Sequence, residues 1–600
     1  MAVRRTPTRS TFGPTPLSKS SLRVPLIDSP APSPGLPSNI PRHGKQPLHR
    51  WNRRRWRLLL WMIGVVAIIL FALSLQKSEQ SPDAVSYLSQ DGQPFEILGG
   101  DIIPDVPAPI LVTDGRGRSR WTVSIPPDRE FPLPPSDYAQ LCSKSMDIAK
   151  YLAEKKSGKS GHHHGHHGYY HEDPNFIDVP DAVSHGLLPS FHHSDPIQVV
   201  GGEEYATSSL EICKESLTFV LQTEDAGLGA TLMALWMSYG LAKKEGRAFF
   251  VDDTNWAYGR YTTYFQPPPT PSCRPPPPFQ RIPCPRHARH LLVSTATTSW
   301  MFGHNFNEKF EDAHKMGVHR QKPIYSLLRA GYEALFQLNG DDLVYYNRRV
   351  ADLNKRIRDK GGIEVGIHIR HGDLHPLEFQ YQKSYIPLEA YRIAAEDLIA
   401  SFRSGNIRPH PESGGEPSME IVASDDPDVY ATSEMIGTEK AQSFISLASK
   451  TALDAATAAQ GGDSRMMDGN IGWEGGFFRE LFWSLGAPSS RIARGSPAPS
   501  KRELSNPPQN NDMESSSASS KSDLQHFRFH PAPDALYLRE LVGRAYLLDL
   551  AVLGQSDAVV CGVSSSGCRL LAVMMGWEKA IEEEKWKNVD GTWGWKGIIW

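Results

Sequence analysis

Residues 217–253 constrain the fold more than any other stretch. LTFVLQ (217–222) is a short continuous apolar run, DAGLGA (225–230) a glycine-bearing turn, TLMALWMSYGLAKKEG (231–246) a stretch of helical period that stops on glycine, and RAFFVDD (247–253) a second strand. A helix between two strands requires a crossover, and crossover strands lie parallel with both faces covered. The segment therefore reads as a βαβ unit with a glycine turn after its first strand. The pattern returns as strand EVGIHIR (364–370), a helix over 387–403, strand MEIVAS (419–424), a helix over 534–553, strand DAVVC (557–561) and a helix from Gly567. Helical patterns from Pro323 to Arg358 join the two halves. The expected fold class is α/β, with two Rossmann-like lobes facing a cleft: an N-terminal lobe over 209–358 and a C-terminal lobe over 359–600.

The chain before these lobes has a different character. Leu58–Leu75 is a run of 18 residues without a charge, abutted by Arg53, Arg54, Arg55 and Arg57. A membrane-spanning helix needs about 20 apolar residues, and flanking arginines hold their side in the cytoplasm. A cleaved signal peptide would need a 57-residue leading region, and a soluble helix would be apolar on one face only. The run reads as a signal-anchor over 58–75. It follows a disordered basic cytoplasmic tail over 1–57, which holds twelve Lys/Arg and one acid, Asp28. The rest of the chain has 52 basic against 66 acidic residues, so its body is acidic and suits no nucleic-acid partner. Residues 76–208 read as an irregular, low-complexity lumenal stem, with a helix over Asp137–Lys155 and a histidine tract at 162–171 that is either solvated or metal-binding. Stretches 405–418 and 495–525, rich in Gly, Ser, Pro and Asn, read as disordered insertions. A single-pass type II protein of the Golgi or ER membrane with a lumenal catalytic body is expected; its oligomeric state is left open.

The residues fit for chemistry sit at strand ends. EVGIHIR closes on HIRHGD, which puts His368, Arg370, His371 and Asp373 at the carboxyl end of a buried strand, the end that faces ligands in open α/β sheets. Arg370 suits a diphosphate bidentately or pairs with Asp373. His368 points to the same side or is a satisfied core histidine. Glu378 is either a general base or an ordinary surface carboxylate. Asp425 and Asp426 of ASDDPD orient a sugar hydroxyl or make turn chemistry, and neither acidic cluster has metal-ligand spacing. Ser564, Ser565 and Ser566 open a helix after strand DAVVC and form an anion site with its amides. Asp549 lies inside an otherwise apolar helix and needs a partner, such as a base-edge N–H. Cys561 and Cys568 bracket the serine turn.

In family order, MSYGLAKKEGRAFFVDDTNWAYGRYTTYF (237–265), VGIHIRHGD, VASDDPD and DAVVCGVSSSGCR resemble the α1,6-fucosyltransferases of glycoprotein core fucosylation and their bacterial chitin-oligosaccharide relatives. The resemblance implies a GT-B-like inverting transferase that takes GDP-fucose and needs no metal or other cofactor. It assigns the β-phosphate to Arg370 and Ser565, guanine to His368 and Asp549, and the nucleotide-side aromatic to Tyr258. It makes Asp373, Asp425 and Asp426 activity-bearing carboxylates and Glu378 the base. It maps the bridges as Cys213–Cys273 and Cys561–Cys568, with Cys142 and Cys284 left over. Where the family has a second arginine this chain has His371, which restores a charge at acidic pH; where it has a lysine this chain has Leu374. Arg274, Arg281 and Lys383 are the loop cations available to substitute. The expected partners are a GDP-sugar donor, a glycan or glycoprotein acceptor, and the membrane. A protein O-fucosyltransferase, another GDP-sugar transferase and a catalytically inactive glycan-binding scaffold are the alternatives.

Overall fold

The computed structural model describes residues 96–97, 104–113, 118–126, 128–157, 168–189, 198–206, 209–222, 227–360, 362–372, 381, 384–405, 418–448, 471–473, 531 and 533–598. The basic tail, the apolar run 58–75, most of the histidine tract and the expected insertions lie outside these residues, as do Asp373, Leu374, Glu378 and Lys383. Among the described residues no helix is long and apolar enough to cross a membrane.

Two parallel sheets organise the body. The first has three strands, β4 (Ser216–Val220), β5 (Ala248–Asp252) and β6 (His290–Ser294), in the order β5-β4-β6. The crossover from β4 to β5 is α2 (Leu228–Glu245). This helix is buried on nearly all sides because it lies between the sheet and α3 (Lys322–Leu335). It ends at Gly246, whose φ of 72° is a left-handed cap that returns its N–H to Ala242 and Lys243. Helices α2 and α3 cross closely through two glycines. A Cβ on Gly240 would stand 2.1 Å from the Leu327 carbonyl oxygen, and one on Gly331 would stand 2.2 Å from that of Trp236.

The second sheet is β7 (Glu364–Ile369), β8 (Met419–Ser424), β9 (Glu439–Lys440), β12 (Ala558–Cys561) and β13 (Trp586–Asn588), all parallel, in the order β13-β12-β7-β8-β9, while β10 (Ser446–Ala448) and β11 (Ile471–Trp473) form a separate two-stranded parallel pair. Strands β7 and β12 are buried at every position, including Glu364 and His368 of β7, as strands covered on both faces are. Helix α5 (Leu388–Gly405) joins β7 to β8, and α6 (Pro533–Leu553) leads into β12. From β7 the chain proceeds to β8 and β9 on one side and later adds β12 and β13 on the other. The sheet therefore has a topological switch between β7 and β12, which is where open α/β sheets bind ligands.

The helix after β12, α7 (Ser566–Met575), packs on α2 and α3 and merges the two halves into one core. Arg329 of α3 donates to the Val573 and Met574 carbonyls at 2.8 and 2.7 Å, closing the C-terminal end of α7 with a cation.

The segment expected to be irregular stem is largely built in. β2 (Ala108–Thr113) and β3 (Ser119–Ser124) form an antiparallel hairpin, with the short strand β1 (Glu96–Ile97) alongside β2. The 23-residue helix α1 (Pro135–Ser157) carries buried Tyr138, Leu141 and Leu152 against the same core. Proline density suggests a linker, but ILV and WTV supply enough apolar area for the hairpin to bury. The helical stretch 323–358 also divides, with α3 ending at Leu335 and α4 (Gly340–Lys360) starting after a short break. Three disulfides are present: Cys213–Cys273 and Cys561–Cys568 as the resemblance maps them, and Cys142–Cys284 from the two cysteines left over.

Candidate functional site: the carboxyl edge of the second sheet

Three strand ends meet at the switch point. In register, Cys561 of β12 stands opposite His368 of β7, and Ile369 of β7 opposite Ser424 of β8. Arg370 and His371, Asp425 and Asp426, and Ser564 to Ser566 therefore leave the sheet along one edge. Arg370 and Ser565 share this edge, although their positions are nearly two hundred residues apart in sequence.

The first turn of α7 is bare toward this edge. Ser565 is the N-cap, but its side chain makes no capping bond. Helix geometry leaves the first N–H groups without intrahelical partners, and they carry the positive end of the helix dipole. A side chain at Gly567 would crowd its neighbours: a Cβ there would lie 2.8 Å from His368 Nε2 and 3.0 Å from the Tyr546 hydroxyl. At Gly229, in the first turn of α2, a Cβ would lie 2.6 Å from the same hydroxyl and 3.0 Å from Ser566 Cβ. The amino ends of α2 and α7 thus converge on Tyr546 of α6. The GLG turn serves this close approach.

The charges around Tyr546 are mixed. Burial, and then Asp425, push its hydroxyl far above the usual tyrosine range, while Arg370 and Arg569 pull the other way. His368 is 7% exposed, and burial followed by the neighbouring Arg370 holds its imidazole down to about 4, so it is neutral at physiological pH. Its Nδ1 has no hydrogen-bond partner.

His371 is fixed on three sides. Its backbone N–H donates to Asp425 Oδ1 at 2.6 Å, its Nδ1 meets Asp426 Oδ2 at 2.9 Å, and its ring stacks on Tyr385 at 4.4 Å. Its Nε2 is buried without a partner. Asp426 also accepts the Asp428 N–H, the turn role its sequence suggests. The two aspartates therefore hold His371 and the turn. Tyr258 is buried beside the site, with the Leu228 N–H of α2 bonded to its hydroxyl. Asp549 lies one helical turn beyond Tyr546 on α6. Burial raises its carboxyl well above the usual range, and among the described residues Lys440 is the charge that opposes this.

Of the loop cations offered as substitutes, Arg281 is spent. It is 3% exposed, lies 3.8 Å from Asp252 and donates to the Pro276 and Gln198 carbonyls. Arg274 accompanies the chain where its backbone pairs with Glu211 and Cys213. Tyr546 and Arg569 were not singled out from sequence. Their signal is spacing alone, one turn before Asp549 and one turn after the serine run. Among the described residues no group of three His, Cys, Asp or Glu side chains is placed to hold a metal.

No protein-family model matches the chain. None of the curated proteins does either. Among solved structures it is similar to a NodZ alpha-1,6-fucosyltransferase co-crystallized with GDP, at 10% identity over 60% of this chain and 92% of that one, with a TM-score of 0.22. It is also similar to a fucosyltransferase NodZ from Bradyrhizobium, at 12% identity over 60% and 92% of the two chains, with a TM-score of 0.24. Likenesses this slight add no weight to the geometry of the site.

Proposed function

We propose that the chain is a glycosyltransferase that binds a nucleoside-diphosphate sugar at the β7–β12 switch point, with GDP-fucose as donor and a glycan hydroxyl as acceptor. The observation that supports this most is that Arg370 and the bare amino end of α7 leave neighbouring parallel strands at one edge. Amides at a helix N-terminus and a guanidinium are complementary to a pyrophosphate. Both interactions strengthen as the diphosphate departs and its charge develops, which is how such groups lower a barrier. Glu378 is the proposed base for the acceptor hydroxyl, giving in-line attack with inversion. Asp549 and His368 are proposed to face the base. No divalent ion enters this reading, because cation and amide donors take the leaving charge. The apolar run 58–75 is proposed as a signal-anchor that holds the body in the Golgi lumen.

A second reading, a glycan-binding scaffold without turnover, is favoured by His371, which is engaged with Asp426 where the resembled family has an arginine. Titration with GDP, GDP-fucose and GDP-mannose, followed by product analysis on glycan acceptors, separates the two. Saturable binding with fucosyl transfer supports the enzyme. Saturable GDP binding without transfer to any acceptor supports the scaffold. Absence of GDP binding overturns the nucleotide-sugar transferase reading.

A further inference from the structure

Among the described residues, one guanidinium beside this edge has no acidic partner. Arg569, in the first turn of α7, is 5% exposed. Its Nη1 donates to the Gly597 carbonyl at 2.7 Å and its Nη2 to Ser566 Oγ at 3.1 Å, while its Nε has no partner. Burial brings the guanidinium down to about 10, which leaves it charged, and among the described residues Tyr546 is the one titratable group that bears on it. Arg281, also buried, faces Asp252, and the half-buried Arg544 makes a two-pronged bond to Asp342 at 2.9 and 2.7 Å.

Such a position is costly twice over. A buried charge without a counter-ion loses its hydration, and a cation at a helix amino end opposes the helix dipole. Both costs are relieved by one event, the arrival of an anion at the amino end of α7. The position fits that event. Arg569 reaches back to Ser566, the first residue of the helix, and it shares Tyr546 with Arg370. Gly229 brings the amino end of α2 to the same point.

We propose that Arg569 is a second cation of the diphosphate site, acting with Arg370 on one bound pyrophosphate and supplying charge that neither His371 nor Leu374 carries as a fixed cation. The assignment rests on the nucleotide-sugar reading above and adds a residue and a charge count to it.

Calorimetric titration of the wild type, Arg569→Gln and Arg569→Lys with GDP and with guanosine tests it. The ratio of guanosine Kd to GDP Kd isolates the phosphates from the base. The expected result is a fall in that ratio of roughly 10- to 100-fold in Arg569→Gln, with partial recovery in Arg569→Lys. A role confined to holding Gly597 lowers thermal stability but leaves the ratio unchanged, and an unchanged ratio overturns the assignment. If wild type binds no GDP, the nucleotide reading itself fails and takes this inference with it. Should Arg569→Gln not fold, a crystal structure of the wild type with GDP decides. A phosphate oxygen within about 3 Å of the guanidinium supports the proposal, and a guanidinium without phosphate contact overturns it.

Discussion

His368 shows how burial turns an ordinary side chain into a fixed element of a site. Two residues of β7 behind Arg370, it is enclosed by the amino end of α7, and Arg370 adds to the desolvation that keeps it neutral. The pH consequence has a definite sign. Between about pH 6.5 and 4 the unfolded chain protonates this imidazole and the folded chain does not, so unfolding takes up a proton and stability is lost as the pH is lowered. Wild type should lose about 2 kcal/mol relative to His368→Asn between pH 7 and 5, read by chemical denaturation at the two pH values. A parallel pH dependence in the two proteins would show that the imidazole titrates normally in the fold. Residue types at strand ends were legible in the sequence: Arg370, His371, Asp425, Asp426 and the serine run all reach one edge. What Asp426 touches was not legible, because the same carboxylate can cap a turn, hold an imidazole or face a ligand, and it does the first two.

At the level of elements, the strands that read clearly were those buried on both faces. β4, β5, β7, β8 and β12 are short, mostly apolar runs between turn residues, and all five form where expected. β6 was hidden because HLLVS is five residues long and follows a proline-rich loop. The β2–β3 hairpin was hidden by the prolines around it, although its ILV and WTV runs bury enough apolar surface to pack. Close helix crossing is the clearest element-level dependence. Gly331→Ala drives a methyl into the Trp236 backbone, which cannot rotate away, and the α2–α3 contact must open. The cost should be about 3 kcal/mol or more, seen as a large fall in Tm. Gly227→Ala is the control. It sits at φ −66° with nothing within 4 Å of its Cβ, so its Tm should be nearly unchanged. Equal effects at the two positions would contradict the crossing.

Across the whole molecule, one continuous core joins the hairpin, α1, the first sheet and α7, so the two sheets are not independent bodies. The Cys142–Cys284 bridge spans 142 residues and ties α1 to the loop that precedes β6. Spacing alone gave these two cysteines no partner; their proximity exists only once α1 packs on the first sheet. Closing so long a segment restricts the unfolded chain strongly, so Cys142→Ser with Cys284→Ser should cost about 4 kcal/mol, measured by denaturation under non-reducing conditions. A change of under about 1 kcal/mol would mean that the unfolded chain is already compact there. The central claim spans the same scale, because it joins β7 to a helix that packs on the other sheet. Its most direct test is calorimetric titration of GDP into the wild-type protein and Arg370→Ala. We predict saturable binding by wild type and a loss of roughly 10- to 100-fold in the variant, the worth of a charge-assisted contact. GDP affinity that is unchanged when Arg370 is removed would contradict a pyrophosphate held between this guanidinium and the amino end of α7.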